Sequence, residues 1–577
     1  MSIRDLAFPL NIYASLLEQG EGQVDHLHFA VFEDGQSDVL RAQQHATDLL
    51  RRALPPPCRL LEVGIGLGTT LAHLTEEGYT VLGITPDAAE VELARQRHGE
   101  RIQTLYTRLE DFNGTSQSWD TMLLHDSAQY IEPLALFAAA DRLLKPEGAS
   151  LVVMDEFALQ RRDEADHGLH HLEHFCALAQ RQGWRLVQRT DLSRQAAPTL
   201  DHLLRGTRTF RAELMSATGT SAEAMDQLES ALLRSRALHE VGVYGYALLR
   251  FERAQPPAQN LVPVDADNAP AVRDRFLSVF KTPLSAPQWQ WKYGQGRGQA
   301  VALMQGEICV AHFGGVSRQI RYFGQPALAC QVCDVMVDPS ANRAIVRRGP
   351  LYQVAATFLE HQIGWGLHHL VGYGFPSGRH FAVADRLQLY AEVDRIDSVS
   401  WPAIDRVPPG YAAEPLREAD LAPGGTVDRL WSEMARAMTD LVLCVRDAAW
   451  LHHRYLSHPH CSYELRLVRP APAAPAVGLL VLRVHEQHLD LLDMVADPKH
   501  FAALVAVARA HAHALGRAHV NCWITASQRH QLADADPAAQ TVHATEIVVP
   551  ANVHTPGPSP AKLKGRWFLM SGDADFT

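Results

Sequence analysis

Short apolar runs alternate with longer stretches of helical spacing through the first 250 residues. Leu60 to Val63, Tyr79 to Thr85, the run from Trp119 to Leu124 and Ala149 to Met154 are each too short for a helix. Apolar positions three and four apart, such as Leu71 and Leu74, follow the first of them, and the pattern predicts a parallel sheet flanked by helices. Residues 1 to 50 read as helices and a loop laid ahead of that sheet, and Gly242 to Arg250 as its last apolar strand. Ala254 to Pro270 carries four prolines and little periodicity, which predicts a linker. Beyond it short strands dominate, at Ala300 to Met304, Ile308 to Phe313 and Ala327 to Val337, before a helix from Pro350 through Glu360. The last third repeats this order: Trp450-Leu451-His452-His453-Arg454-Tyr455 echoes Trp289-Gln290-Trp291-Lys292-Tyr293, each followed by strands and later a helix.

Between the first strand and its helix stand Gly64, Gly66 and Gly68, where a side chain would keep a ligand from the backbone. A dinucleotide fingerprint needs its third glycine three positions after the second, and Thr69 is there instead. Strictly alternating glycines with Glu62 two residues ahead of them resemble the S-adenosylmethionine loop of class I methyltransferases; the alternative is an ordinary tight turn. The resemblance covers roughly residues 1 to 253 and implies that Glu62, Gly64, Gly66 and Gly68 hold the amino-acid end of the cofactor.

The ending Gly83-Ile84-Thr85 resembles the tocopherol-methyltransferase and cyclopropane-synthase branch of that superfamily, with Thr85 at the place where an acid usually meets the ribose. Asp87 either substitutes for that acid or forms a capping box with Glu90. The resemblance puts Glu110 and Asp111 in the loop that brackets the adenine, where either accepts from its amine or both are merely solvated.

Ligands of open parallel sheets bind beyond the carboxyl ends of the strands, so the polar end of the run Trp119 to Asp126 faces the site. His125, Asp126, Gln129 and Tyr130 form the expected substrate side, with His125 as base and Asp126 and Tyr130 orienting the acceptor. Gln129 replaces the acid of the branch's Glu-Ser-Gly-Glu-His stretch, which speaks against cyclopropanation. His26 and His28, in a run resembling the family's N-terminal opening, are either substrate-side residues or exposed loop histidines. His167, His170, His171 and His174 share one helical face, with His170 at the expected mouth of the site. No metal is expected there, because metal-dependent members of the family use mostly acids.

In the second half a strand, the basic loop Asn342 to Gly349 and a helix beginning at Pro350 make an anion cradle. The Asp334-Val335-Met336-Val337-Asp338-Pro339 entry and the stretch Tyr373 to Pro376 add to a resemblance to the GNAT acyltransferase superfamily. It implies that Arg347, Arg348 and Gly349 hold the pyrophosphate of acetyl-CoA or another acyl-CoA, although Val346 and Leu351 fill the outer motif positions. Tyr390 is either the acid for the departing thiolate or a core tyrosine, and Asp334 either the base or a turn acid. The second copy enters its helix through Asp497-Pro498-Lys499 without an Arg-Gly loop.

The fold class read from these segments is α/β: a Rossmann-like class I methyltransferase domain at 1–253, a linker at 254–270, and GNAT-like α+β domains at 271–408 and 409–577. The expected function is methyl transfer from S-adenosylmethionine to a small metabolite, fused to a GNAT-like N-acyltransferase; the alternative keeps the methyltransferase and makes the second half a substrate-binding or dimerisation module. A net charge of -12 argues against nucleic acid and anionic membranes as partners. No apolar run of spanning length and no signal-peptide pattern occurs, and eight scattered cysteines, Cys330 and Cys333 among them, fit buried thiols in a reducing cytoplasm. Oligomeric state is not legible.

Overall fold

The computed structural model describes residues 1–162, 168–254, 257–341, 349–407, 409–471, 474–535 and 540–575. They form two compact units, Met1–Pro263 with Met304–Gly306, and Val264–Leu303 with Glu307–Thr577.

The first unit is built on a sheet of β1 (Arg59–Val63), β2 (Thr80–Thr85), β3 (Thr104–Tyr106), β4 (Thr121–His125), β5 (Ser150–Ala158), β6 (Trp184–Asp191) and β7 (Tyr244–Arg253), in the order β3-β2-β1-β4-β5-β7-β6. All neighbours are parallel except β7, which runs antiparallel to β5 and β6. β1 and β4 lie side by side at the centre, Leu60 opposite Thr121 and Val63 opposite Leu124. Helices cover both faces, so Leu60, Leu61, Met122, Leu123 and Leu124 are fully buried, and continuous apolar runs mark these strands in the sequence.

The strand β6 has no such mark. It lies at the sheet edge with Trp184 buried and most of its other residues exposed. Between β6 and β7 the chain makes a helical excursion, Ser193–Ala196, Pro198–Thr209, Arg211–Thr218 and Ala222–Glu240, that the periodicity did not single out. Its apolar face, Leu200, Leu203, Leu204, Leu214, Met225, Leu228 and Leu232, packs on Ile12 and Leu16 of α1 (Leu10–Glu21). A Cβ at Gly206 would come within 2.4 Å of Leu16, so the close approach of the two helices requires glycine. Helix α2 (Val39–Ala53) is capped by Asp38, which accepts from the Arg41 N–H at 3.0 Å. Three helices flank the centre of the sheet: α3 (Thr69–Glu76) after β1, α4 (Ala88–His98) after β2, and α5 (Pro133–Leu143) after β4.

The second unit holds two sheets. One runs Val371–Tyr373, Gln325–Val337, Ile308–Tyr322, Val442–Cys444, Trp567–Phe568. The other runs Ala412–Pro415, Glu464–Arg469, Gly478–Val484, His488–Ala496, His519–Thr525, Tyr390–Pro402, Thr541–Asn552. A topological pattern recurs in both. The last strand of an antiparallel meander pairs in parallel with a strand reached through one helix, Gln325–Val337 with Val371–Tyr373 through Pro350–Gln362, and His488–Ala496 with His519–Thr525 through Phe501–Ala514. Strands from both sides of residue 408 enter each sheet, since Tyr390–Pro402 lies in the second while Val442–Cys444 and Trp567–Phe568 lie in the first. Among the described residues no helix is long and apolar enough to cross a membrane.

Candidate active site

Gly64, Gly66 and Gly68 follow β1 with φ of +81°, +50° and +76°, a region that side chains disfavour. Two of the three are needed by the chain's own packing. A Cβ on Gly64 would lie 2.5 Å from that of Ser127, whose hydroxyl ties the next turn to the Val63 carbonyl, and one on Gly68 would lie 2.8 Å from Ala94. Gly66 differs: the nearest atom to its Cβ would be Leu27 at 3.9 Å, so its backbone borders space that the chain leaves open.

Beside that space are two buried carboxylates. Glu62, at 2% exposure, has an Oε2 with no hydrogen-bond partner; burial, with the charge of Glu90, pushes it up to about 8. Glu90 accepts from the Thr85 hydroxyl at 2.6 Å, and burial drives it to about 7 although Thr85 and the Gly66 N–H pull the other way. The helix cap after β2 is carried by Asp87 alone, which accepts from the N–H groups of Ala89 and Glu90 at 2.7 and 3.4 Å. The Glu90 side chain turns inward to Thr85 instead of closing a capping box, so the capping pattern concealed where its carboxylate points. Its place on the inner face of α4, beside the buried Val91 and Ala94, was the available signal. Glu110 and Asp111 are exposed in the turn after β3.

An orphaned carboxylate, paired acceptors at the end of β2 and an open glycine backbone fit the ammonium and hydroxyl groups of an amino-acid nucleoside. Glu62 would hold the ammonium, and Thr85 with Glu90 the hydroxyls.

At the end of β4, His125 is buried with neither ring nitrogen bonded. It stacks on His28, ring centres 3.8 Å apart, and His28 lies 4.7 Å from His26. The N-terminal segment therefore brings His28 onto His125 with His26 beside His28, so they are not exposed loop histidines. Burial lowers His26 to about 4, His28 well below its usual value and His125 to about 3, which makes all three neutral imidazoles at physiological pH. Burial thus makes His125 a weak base in the ligand-free chain.

The other expected substrate residues are differently employed. Asp126, strained at φ +53°, accepts from the Phe29 N–H at 2.5 Å and from the Tyr246 hydroxyl at 2.7 Å. Both oxygens are engaged, so it fastens the N-terminal segment and β7 around the site instead of orienting an acceptor. Burial first, then Glu156, raises it to about 7 despite those bonds. Gln129 donates its backbone N–H and its amide to the buried Asp155, each at 3.1 Å. His170 directs Nε2 at the carbonyls of Ala128 and Ile131, 3.0 and 2.9 Å away, and pins the turn that carries Gln129. Tyr130, 78% exposed, stands at the rim. Asp155, Tyr246 and the pair Glu156–His239 at 2.8 Å are further members that no local motif announced.

His171 and His174 lie 4.3 Å apart, His167 falls outside the described residues, and among the described residues no three metal-ligating atoms meet on this face. In the second unit Arg347 and Arg348 also fall outside the described residues, and Gly349 is the N-cap of Pro350–Gln362. Tyr390 is buried with its hydroxyl unpartnered. Asp334 is no free base: burial alone would raise it, but Lys292 at 2.7 Å and the Tyr293 hydroxyl at 2.6 Å hold it below the usual carboxylate range.

Residues 61–152 match the family model described as a methyltransferase domain. No curated protein matches the chain. Among similar solved structures, the [4+2]-cyclase SpnF is 19% identical, covering 42% of this chain and 92% of its own at a TM-score of 0.37. The cyclopropane synthase MmaA2 from Mycobacterium tuberculosis is 19% identical, covering 43% and 95% at 0.34. The geranyl diphosphate C-methyltransferase from Streptomyces coelicolor A3(2) is 15% identical, covering 42% and 96% at 0.32. The matched segment runs from β1 into β5 of the Rossmann-like α/β sheet of the first unit.

Proposed function

We propose that the first unit transfers a methyl group from S-adenosylmethionine to a small-molecule acceptor. The observation that carries this reading is Glu62: a buried carboxylate with an unpartnered oxygen at the mouth of an open glycine turn, inside the segment that matches a methyltransferase domain. The cofactor, when bound, supplies a carbon already activated by its sulfonium, so the protein's task is alignment and exclusion of water.

Glu62 and the backbone of Gly64, Gly66 and Gly68 take the amino-acid end, Thr85 and Glu90 the ribose, and Glu110 the adenine amine. His125, kept neutral by burial and backed by His28 and His26, offers an imidazole nitrogen to the acceptor. Asp126, through Phe29 and Tyr246, holds that histidine-bearing segment in place, while Gln129 and His170 fix the turn beneath Tyr130. Incubating the full chain with methyl-labelled S-adenosylmethionine and a mixed metabolite fraction tests the proposal. Label should pass to a small molecule with the native chain and not with Gly66→Val; equal labelling by both contradicts it.

For the second unit the recurring meander, helix and parallel strand support a tandem GNAT-like module. The unpartnered Tyr390 hydroxyl and the Gly349 N-cap favour an acyl-CoA site over a purely binding module. Calorimetry of the full chain with acetyl-CoA and longer acyl-CoAs decides. Heat that disappears in Gly349→Val supports acyl-CoA binding, and no heat with any donor leaves a binding or dimerisation module.

A further inference from the structure

We propose that the hairpin between Gly478–Val484 and His488–Ala496 is a binding site for a divalent transition metal of the zinc type, with His485, His488 and Asp490 as ligands. The turn builds the site. The His485 N–H donates to the His488 carbonyl at 3.0 Å, closing the four-residue turn His485-Glu486-Gln487-His488. This sets the two imidazoles side by side, ring centres 4.5 Å apart and planes 16° from parallel. Asp490, two residues after His488, emerges on the same face of the strand. Its Oδ2 lies 2.9 Å from Nε2 of His485 and its Oδ1 3.4 Å from Nε2 of His488. One ligand atom from each of the three residues falls within 4.8 Å of the others.

Those separations suit a single ion. Metal–ligand bonds of about 2.0–2.2 Å in a tetrahedron place neighbouring ligand atoms about 3.3 Å apart, and the two histidine–carboxylate spacings, one to each Asp490 oxygen, lie on either side of that value. Two imidazoles with one carboxylate select zinc, copper or nickel over magnesium or calcium, which ask for an all-oxygen shell. The three side chains are 33%, 34% and 29% exposed, open enough to load from solution. The parallel neighbour pairs His519 with His488 and Asn521 with Asp490, so the adjoining strand carries further donor-bearing side chains at these positions. Arg483, opposite Asp490 across the hairpin, is the nearest cation that the pairing puts on this face and tempers the affinity without filling the ligand positions.

The test uses the full chain, stripped with a chelator and titrated with Co2+ as a spectroscopic stand-in for Zn2+. One equivalent should develop the visible d–d absorption of a tetrahedral nitrogen and oxygen site and lose it on adding Zn2+ but not Mg2+. His488→Ala and the shape-preserving Asp490→Asn should each abolish that absorption, while His513→Ala on a neighbouring helix leaves it unchanged. Zn2+ should also raise the melting temperature of the native chain and not of Asp490→Asn. Absent d–d absorption in the native chain, sulfur-to-cobalt charge transfer marking a thiolate site, or a spectrum unchanged in His488→Ala each overturns the proposal.

Discussion

Both units bury carboxylates, and one group in the first unit is treated unlike those of the second. In the second unit Arg446, fully buried, donates to Asp493 at 2.7 Å and to Asp573 at 2.5 Å, while Arg318 reaches Asp573 at 3.3 Å. Lys292 joins Asp334 at 2.7 Å to Asp575 at 2.5 Å. In the first unit Glu62, Glu90, Asp126 and Asp155 are comparably buried or nearly so, yet among the described residues no lysine or arginine pairs with any of them. Burial of an uncompensated carboxylate is costly and drives it toward the neutral acid. Where charge serves the architecture the chain supplies the counter-ion; among these four carboxylates of the first unit, Glu62 is the one with a buried oxygen that no donor reaches, and a ligand would have to bring it.

The widest test of this contrast removes a counter-ion. Arg446→Met leaves Asp493 and Asp573 buried without their main partner and should destabilise the second unit by about 3–5 kcal/mol, read from denaturant unfolding of the full chain. A change well under that would place these aspartates with those of the first unit.

Removing a withheld charge should act differently. Glu62→Gln is expected to weaken S-adenosylmethionine binding by roughly 10–100-fold, the worth of about 1.5–3 kcal/mol for a hydrogen bond to a charged group, without lowering the stability of the ligand-free chain. Unchanged affinity in a titration would remove Glu62 from the cofactor site.

The same residue sets a pH dependence. Its folded value, about 8, is raised above the ordinary 4.5, so the folded state keeps a proton that the unfolded state has lost. The contribution is fully present below pH 4.5, declines as pH rises, and is gone above about 8. Stability of the first unit should therefore fall between those limits, and fall less in Glu62→Gln. Parallel profiles for the two chains would contradict the assignment.

The smallest effect belongs to Tyr246→Phe. It deletes one of the two hydrogen bonds to Asp126 and should cost about 1 kcal/mol, with a lowered affinity for cofactor as the N-terminal segment loosens. Full retention of both properties would mean that Phe29 alone fastens the segment.

What the sequence disclosed follows from how local each signal is. β1, the glycine turn and α3 are contiguous, so Glu62 to Thr70 could be read as strand, loop and helix together with their chemistry. Fully buried central strands announced themselves as unbroken apolar runs. β6 did not, because an edge strand exposes most of its side chains. The stack of His28 on His125 joins segments about a hundred residues apart, and the Tyr246 bond to Asp126 spans 120. Such contacts leave no periodicity behind. Asp126 directly follows β4, and spacing could not show that the polar atoms of Asp126, Gln129 and His170 are turned inward, to Phe29, Asp155 and the Ala128 carbonyl. Glu90 was hidden by a better-known pattern: the Asp87 cap explains its position so well that its side chain was assigned before it was placed.

Glu62 also supplies the most direct measurement. Near pH 7 it is mostly protonated in the ligand-free chain, and an ammonium placed beside it favours the carboxylate, so cofactor binding should expel a proton. Titration calorimetry with S-adenosylmethionine in two buffers of different ionisation heat reads that proton. Release approaching ~one proton per site, abolished in Glu62→Gln, is the expected result. Tight binding with no proton released, or release undiminished in Glu62→Gln, would contradict the claim that this carboxylate awaits the cofactor's amino group.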